Sequence, residues 1–223
     1  MTGATTEAPL TLALPKGRLL EQTQEYFSRC GIRFTVEKRK LVAHDKDGLL
    51  RIILVKNSDL PVYVNHGIAG LGVCGADVIY ESGASFYRLH EFDFGETTMC
   101  LAGRRDHSPQ EHRGHMTVAT KFTRYAREYF HGRGIPVEVI KLNGSVELAP
   151  VLGLAPYIVD LVETGSTLKA NDLVVYEELE HIGVHLIANP AYYKFHYRKV
   201  DRLVERLRSA GPKNSKGAAH GLT

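Results

Sequence analysis

The stretch from Tyr157 to Leu168 limits the fold more than any other part of the chain. An apolar run, Tyr157 to Val162, is broken only by Asp160 and is followed by Glu163, Thr164, Gly165, Ser166, Thr167 and Leu168. The run has strand length, and the turn after it opens a helix. This strand, loop and helix order belongs to α/β folds, whose ligands sit beyond the carboxyl ends of strands. Gly165 allows close backbone approach and dihedrals closed to other residues. Thr164, Ser166 and Thr167 add hydroxyls to the N–H groups of a helix start, which suits a phosphate. Asp160 and Glu163 are carboxylates that accept hydrogen bonds from sugar hydroxyls. The two-residue period of a strand puts Asp160 and Val162 on one face and Leu161 and Glu163 on the other. One carboxylate can then reach a ligand while the other serves structure, and either assignment is open. A plain turn with a helix cap uses the same residue types.

The rest of the chain repeats the pattern. Leu10 to Leu14 reads as a strand, Pro15 to Arg18 as a turn, and Leu19 to Cys30 as a helix closed by Gly31. Phe34 to Asp45 reads as extended, Leu49 to Val55 as a buried strand, and Ser58 as the cap of a helix containing Pro61. Leu71 to Cys74 and Ala76 to Glu81 give a further strand and helix, and residues 84 to 103 an extended segment. A second series follows: strand Met116 to Thr120, helix Thr123 to Gly132, strand Val137 to Leu142, a helix capped by Ser145, and strand Tyr157 to Val162. Leu173 to Leu179, Val184 to Ala188 and a helix from Tyr197 to Ser209 complete it. These patterns predict two α/β lobes. Residues 1–94 with 181–210 form the first and 95–180 the second, while 1–9 and 211–223 are small, polar and disordered. Two crossings between lobes would make a hinge over a cleft.

Composition excludes several classes. With 28 basic and 25 acidic residues the formal charge is +3, too balanced for a nucleic-acid partner. Cys30, Cys74 and Cys100 show no C-x-x-C spacing, which fits a reducing compartment rather than a disulfide or zinc framework. There is no signal-peptide pattern and no run of membrane-spanning length, so the expected location is cytoplasmic, without a membrane partner. His107, His112 and His115 lie in a polar loop and read as solvated.

Other candidates are cations near strand ends. Lys16 and Arg18 precede a helix, where positive charge opposes the helix dipole unless an anion offsets it. Lys38, Arg39 and Lys40 form a basic run that a solvated face would also explain. Lys56 and Asp59 flank the strand end at Val55. Asn143, Gly144, Ser145 and Glu147 are accounted for by capping and by the dipole.

Taken together these residues resemble the ATP phosphoribosyltransferase family, the first enzyme of histidine biosynthesis. The spaced pattern is Glu147, Gly153, Ala155, Ile158, Asp160, Leu161, Thr164, Gly165, Thr167 and Leu168. Leu14 to Arg18, Ser58 to Pro61, Gly70 to Val73 and Ile140 to Pro150 are similar to further blocks of the family, so the likeness runs from about Leu10 to Leu207. The resemblance implies a two-lobed fold like the type II periplasmic-binding proteins. It implies condensation of ATP with 5-phosphoribosyl 1-pyrophosphate, with Mg²⁺, to N1-(5-phosphoribosyl)-ATP and pyrophosphate. It assigns Arg18 and Arg39 to catalysis at the departing pyrophosphate. Glu147, Asp160, Glu163 and Thr164, Gly165, Ser166, Thr167 and Leu168 would bind phosphoribosyl pyrophosphate, and Lys16, Lys56 and Asp59 the ATP and pyrophosphate side. Lys56 stands where the family usually has Arg, replacing a bidentate contact with a point charge. The chain stops shortly after Leu207, as short forms do. Those forms are homodimers that assemble with a regulatory subunit similar to a histidyl-tRNA synthetase. The rival readings are a type I phosphoribosyltransferase for another base and a non-catalytic small-molecule binder.

Overall fold

The structure, a computed structural model, describes residues 8–106, 109 and 115–209. His107, His112, residues 1–7 and the tail 210–223 lie outside the described residues, together with the expectations for them. The chain runs through β1 (Leu10–Pro15), α1 (Arg18–Arg29), β2 (Val42–His44), β3 (Leu50–Val55), a 3-10 turn (Asn57–Asp59), α2 (Leu60–Asn65), β4 (Leu71–Gly75) and α3 (Ala76–Ser82). It continues through β5 (Tyr87–Arg104), β6 (Met116–Thr120), α4 (Thr123–Gly132), β7 (Val137–Lys141), α5 (Leu148–Val151), β8 (Tyr157–Val162), α6 (Ser166–Ala170), β9 (Leu173–Ala188) and α7 (Pro190–Arg208).

These elements form two compact units. One takes the described residues up to Val73, Phe86–Asp93 and those from Leu186 onward; the other takes Cys74–Ser85 and Phe94–His185. In the first unit β1 pairs in parallel with both β3 and β4, and β2 runs antiparallel along β3. β1 has the burial of a central parallel strand: Leu12, Ala13 and Leu14 are fully enclosed. α1 lays Thr23, Tyr26 and Phe27 inward, and both rings pack against Phe92.

In the second unit β6 lies between β7 and β8, parallel to both, while β5 pairs antiparallel with β8. β8 separates two apolar clusters by strict alternation. Tyr157, Val159 and Leu161 join Met99, Val118, Phe122 and Phe130 on one side. Ile158 and Val162 join Val146, Ala149, Ala155 and Leu168 on the other.

Three sequence expectations change. The last helix begins at Pro190 rather than Tyr197, because the Asn189 side chain accepts from the Tyr192 N–H and Pro190 occupies the first turn. His196 leaves helical dihedrals (φ −120°, ψ 16°), so the expected helix was only the part beyond this kink. The two strands expected between Leu173 and Ala188 are one, whose first half is half-exposed and whose second half is buried. Neither Ser58 nor Ser145 caps a helix with its side chain: Ser58 donates to Asp59, and Ser145 sits at φ 48° with its carbonyl accepting from Leu148.

Candidate functional site

In the first unit the basic candidates gather at one end of the sheet. Lys16 follows β1, and its N–H donates to the Val55 carbonyl at the end of β3, which places Lys56 beside it. Gly17 (φ 89°, ψ −153°) starts α1 in a conformation suited to glycine, so Arg18 opens that helix directly after Lys16. Because β2 runs antiparallel to β3, its entrance lies at this same sheet end, where the Leu41 carbonyl accepts from Leu54. Arg39 stands two residues earlier, exposed, at φ 71°. For a non-glycine residue that left-handed conformation costs about 1–2 kcal/mol. Lys40 is tied back to Glu37 at 2.7 Å. Asp59 closes the 3-10 turn after Lys56 and accepts from Ser58. The backbone positions of four cations, Lys16, Arg18, Arg39 and Lys56, thus lie toward the carboxyl ends of the parallel strands β1 and β3, where anionic ligands bind in such sheets.

In the second unit the acidic and hydroxyl candidates also lie at strand carboxyl ends. The loop after β8 turns through Gly165 (φ 70°, ψ 6°), which starts α6. Thr164 and Ser166 hydroxyls are 3.0 Å apart, and the Ser166 N–H lies 3.4 Å from the Thr164 oxygen. No side chain caps α6, so the loop's hydroxyls lie beside first-turn N–H groups that have no partner within a helix. Leu168 is buried among Val162, Val146 and Ala155. It anchors the loop by its side chain and can meet a ligand only through its backbone. The same cluster holds Val146, which positions Glu147 next to it. The second cluster therefore brings Glu147, Asp160 and the 164–168 loop together.

The two carboxylates of the strand differ. Glu163 is exposed at the strand end, whereas Asp160 is largely enclosed. Burial, more than any other influence, raises the Asp160 pKa, Glu147 raises it further, and Lys121 opposes the shift. The Lys121 Nζ lies 3.6 Å from the enclosed Asp160 Oδ1, which accepts no hydrogen bond from the described residues. Asp77, in the first turn of α3, is also buried; desolvation raises its pKa, Lys121 lowers it, and Asp160 raises it.

Sequence reasoning missed Lys121 and Asp77. Lys121 was findable, because it sits between a strand and a helix as Lys16 does. Asp77 looks like an ordinary acidic residue in a first helical turn, and only its burial marks it. Among the described residues no group of three or more His, Cys, Asp or Glu side chains could cage a metal ion.

Comparisons with known proteins define the fold and the family. The SsuA alkanesulfonate-binding protein from Xanthomonas axonopodis pv. citri aligns with 92% of this chain and 73% of its own, at a TM-score of 0.58 and 14% identity. That likeness concerns the fold alone, an α/β fold like that of the type II periplasmic-binding proteins. The profile of the HisG family, ATP phosphoribosyltransferase, matches residues 56–209. ATP phosphoribosyltransferase of Caldicellulosiruptor bescii is 45% identical over 203 residues, 89% of this chain and 97% of that protein. The enzyme of Listeria monocytogenes serotype 4a is 41% identical over 204 residues, 90% and 95% of the two chains. A chain of the HisG:HisZ ATP phosphoribosyl transferase complex from Thermotoga maritima superposes with a TM-score of 0.79 at 36% identity, covering 90% of this chain and 98% of its own. This chain belongs to the ATP phosphoribosyltransferase family, and is a pentosyltransferase by that membership.

Proposed function

We propose that the chain is a catalytic subunit that joins ATP to 5-phosphoribosyl 1-pyrophosphate in the first step of histidine biosynthesis, using the residues gathered at its strand ends. The observation that carries this reading is the hydroxyl loop at the end of β8, with Asp160 and Glu147 held beside it by one apolar cluster, in a chain of this family. The adenine N1 lone pair attacks the anomeric carbon of the ribose. The N1–C1 bond forms as the C1–O bond to pyrophosphate breaks, and that bond's electron pair leaves on the pyrophosphate oxygen. Positive charge spreads over C1 and the ring oxygen in the transition state. No covalent intermediate is needed, so the protein contributes positioning and charge stabilisation.

The loop Thr164 to Leu168 holds the 5-phosphate through hydroxyls and backbone N–H groups. Asp160, Glu163 and Glu147 take the ribose side. Arg18 and Arg39 stabilise the departing pyrophosphate, with Lys16, Lys56 and Asp59 on the ATP and pyrophosphate side. The family's pentosyl chemistry is consistent with a divalent metal, and Mg²⁺ is the ion we assign. Among the described residues the side chains do not form a cage for it, and Mg²⁺ typically arrives on substrate phosphates with one or two carboxylates. No step here is assigned to protein-held metal. The T. maritima HisG:HisZ complex supports assembly of this chain with a HisZ-like regulatory subunit, and we assign the chain to it as a homodimer. Three free buried cysteines support a cytoplasmic location, and no helix of the described residues is long and apolar enough to cross a membrane.

The test mixes the chain with ATP, phosphoribosyl pyrophosphate and Mg²⁺ and follows product absorbance, with pyrophosphatase added to prevent reversal. Product that forms only with all three components is expected. Its absence, with and without the regulatory subunit, would overturn the reading.

A further inference from the structure

Lys121 has no role in the chemistry described above, yet its backbone is held more firmly than its exposed position requires. The residue before it, Thr120, is fully buried. Its hydroxyl donates to the Val159 carbonyl at 2.5 Å and accepts from the Phe122 N–H at 2.9 Å. Both flanks of Lys121 are therefore tied together, and one of them is tied to the residue directly preceding Asp160. Phe122 is buried in the β8 cluster, and the Lys121 ammonium lies 4.7 Å from its ring centroid. This fixes the stem of a side chain that otherwise loses much freedom on pairing. The ammonium ends 3.6 Å from the Asp160 oxygen that accepts no hydrogen bond from the described residues.

We propose that Lys121 is a positioning residue for the reaction: it holds the Asp160 carboxylate ionised and oriented toward the ribose hydroxyls of phosphoribosyl pyrophosphate. The proposal rests on the reading of Asp160 as a ribose ligand. An enclosed carboxylate tends to take up a proton. A protonated Asp160 would lose acceptor capacity and bind a sugar diol less well. The Leu161 backbone N–H also favours the charged form of Asp160, but the other side chains facing it do not. Asp77 on α3 and Glu147 before α5 are both acidic. Cys100, its partner across the β5–β8 ladder, has a thiol pushed up to about 11 by burial and remains neutral. Lys121 is thus the cation assigned to balance three carboxylates. Its side chain is 44% exposed, so the pair adds little to stability. Its effect should instead appear in the pH dependence.

The experiment measures kcat/KM for phosphoribosyl pyrophosphate from pH 5 to 9 in the full chain with its regulatory subunit. It compares wild type with Lys121→Met, Lys121→Arg, Asp77→Asn and Asp160→Asn. Titration of the substrate is common to all of them. Lys121→Met should raise KM for phosphoribosyl pyrophosphate at least about fivefold and move the acid limb upward, while Lys121→Arg restores most of both. Asp77→Asn, which removes a competitor for the ammonium, should move the acid limb downward; it carries the test if Lys121→Met fails to fold. A raised KM with an unmoved acid limb in Lys121→Met would make Lys121 a direct substrate contact and overturn the proposal. An unmoved limb in Asp77→Asn would overturn it as well. If Asp160→Asn leaves KM unchanged, the ribose reading of Asp160 fails and the proposal with it. If Asp160→Asn raises KM while Lys121→Met does not, only the positioning role is lost.

Discussion

The carboxylate of Glu81, at the end of α3, caps α4 by accepting from the backbone N–H of Arg124 at 2.9 and 3.1 Å. It also accepts from the Tyr125 N–H and the Thr123 hydroxyl. The residue at the local cap position, Phe122, has no side chain able to do this. One acidic side chain from 43 residues away thus satisfies the exposed donors of α4 and places a negative charge at the favourable end of its dipole. Since Phe122 enters α4 directly after Lys121, the same contact helps to hold the start of that helix.

Glu81→Ala should lower unfolding stability by about 1–2 kcal/mol, the range for loss of a helix cap. Glu81→Gln should lose less, because it keeps one acceptor oxygen. Thermal and urea unfolding of the three proteins would check this, and equal stability of Glu81→Ala and wild type would show that water replaces the cap without loss.

Arg39→Ala should lower kcat much more than it weakens phosphoribosyl pyrophosphate binding, since the guanidinium is assigned to charge that develops as pyrophosphate leaves. The backbone at Arg39 is left-handed, so Arg39→Gly is the informative second variant. It should match or exceed wild type in stability while sharing the loss of turnover. Unchanged kcat in both variants removes Arg39 from the mechanism.

Thr167→Val should weaken phosphoribosyl pyrophosphate binding by about 1–3 kcal/mol, as expected when a polar ligand group loses its partner. Gly165→Ala acts on the same loop through its backbone. A methyl there would have room, its nearest neighbour being Val162 at 3.9 Å, but φ of 70° is strained for alanine by about 1–2 kcal/mol. Calorimetric titration should find both variants weaker than wild type, and wild-type affinity in both would make the loop structural.

Asp77 supplies a stability prediction with a defined sign. Burial raises its carboxyl pKa in the folded protein. The unfolded chain therefore releases this proton first as pH rises, and the folded state loses relative stability from about pH 4 up through the folded pKa. Asp77→Asn should be more stable than wild type at pH 7, and that advantage should disappear near pH 4. Melting temperatures at the two pH values measure it. An advantage that stays constant across the range would point to packing rather than ionisation.

The helix α7 and the Asp160 neighbourhood separate what the sequence could tell from what it could not. Apolar periodicity located β1, β3, β6, β8, α1 and α4, because each buries one face locally. The start of α7 was harder, since a run of aromatic residues blurred the helical spacing before His196, and the structure shows the cap at Asn189. The two strands read within β9 were one, because its exposed first half carries acidic residues that interrupt an apolar pattern.

The sequence by itself determined the strand, loop and helix order, the left-handed turn at Gly165 and the family likeness. These depend on neighbouring residues and backbone sterics. Only the tertiary structure decided that Asp160 is enclosed while Glu163 is exposed, that Leu168 anchors the loop from within, and that Lys121, Asp77 and Asp160 influence one another. Those relations join residues 39 to 83 positions apart through β6, β8 and α3. Desolvation and charge pairing arise from such three-dimensional proximity, and no local spacing encodes it.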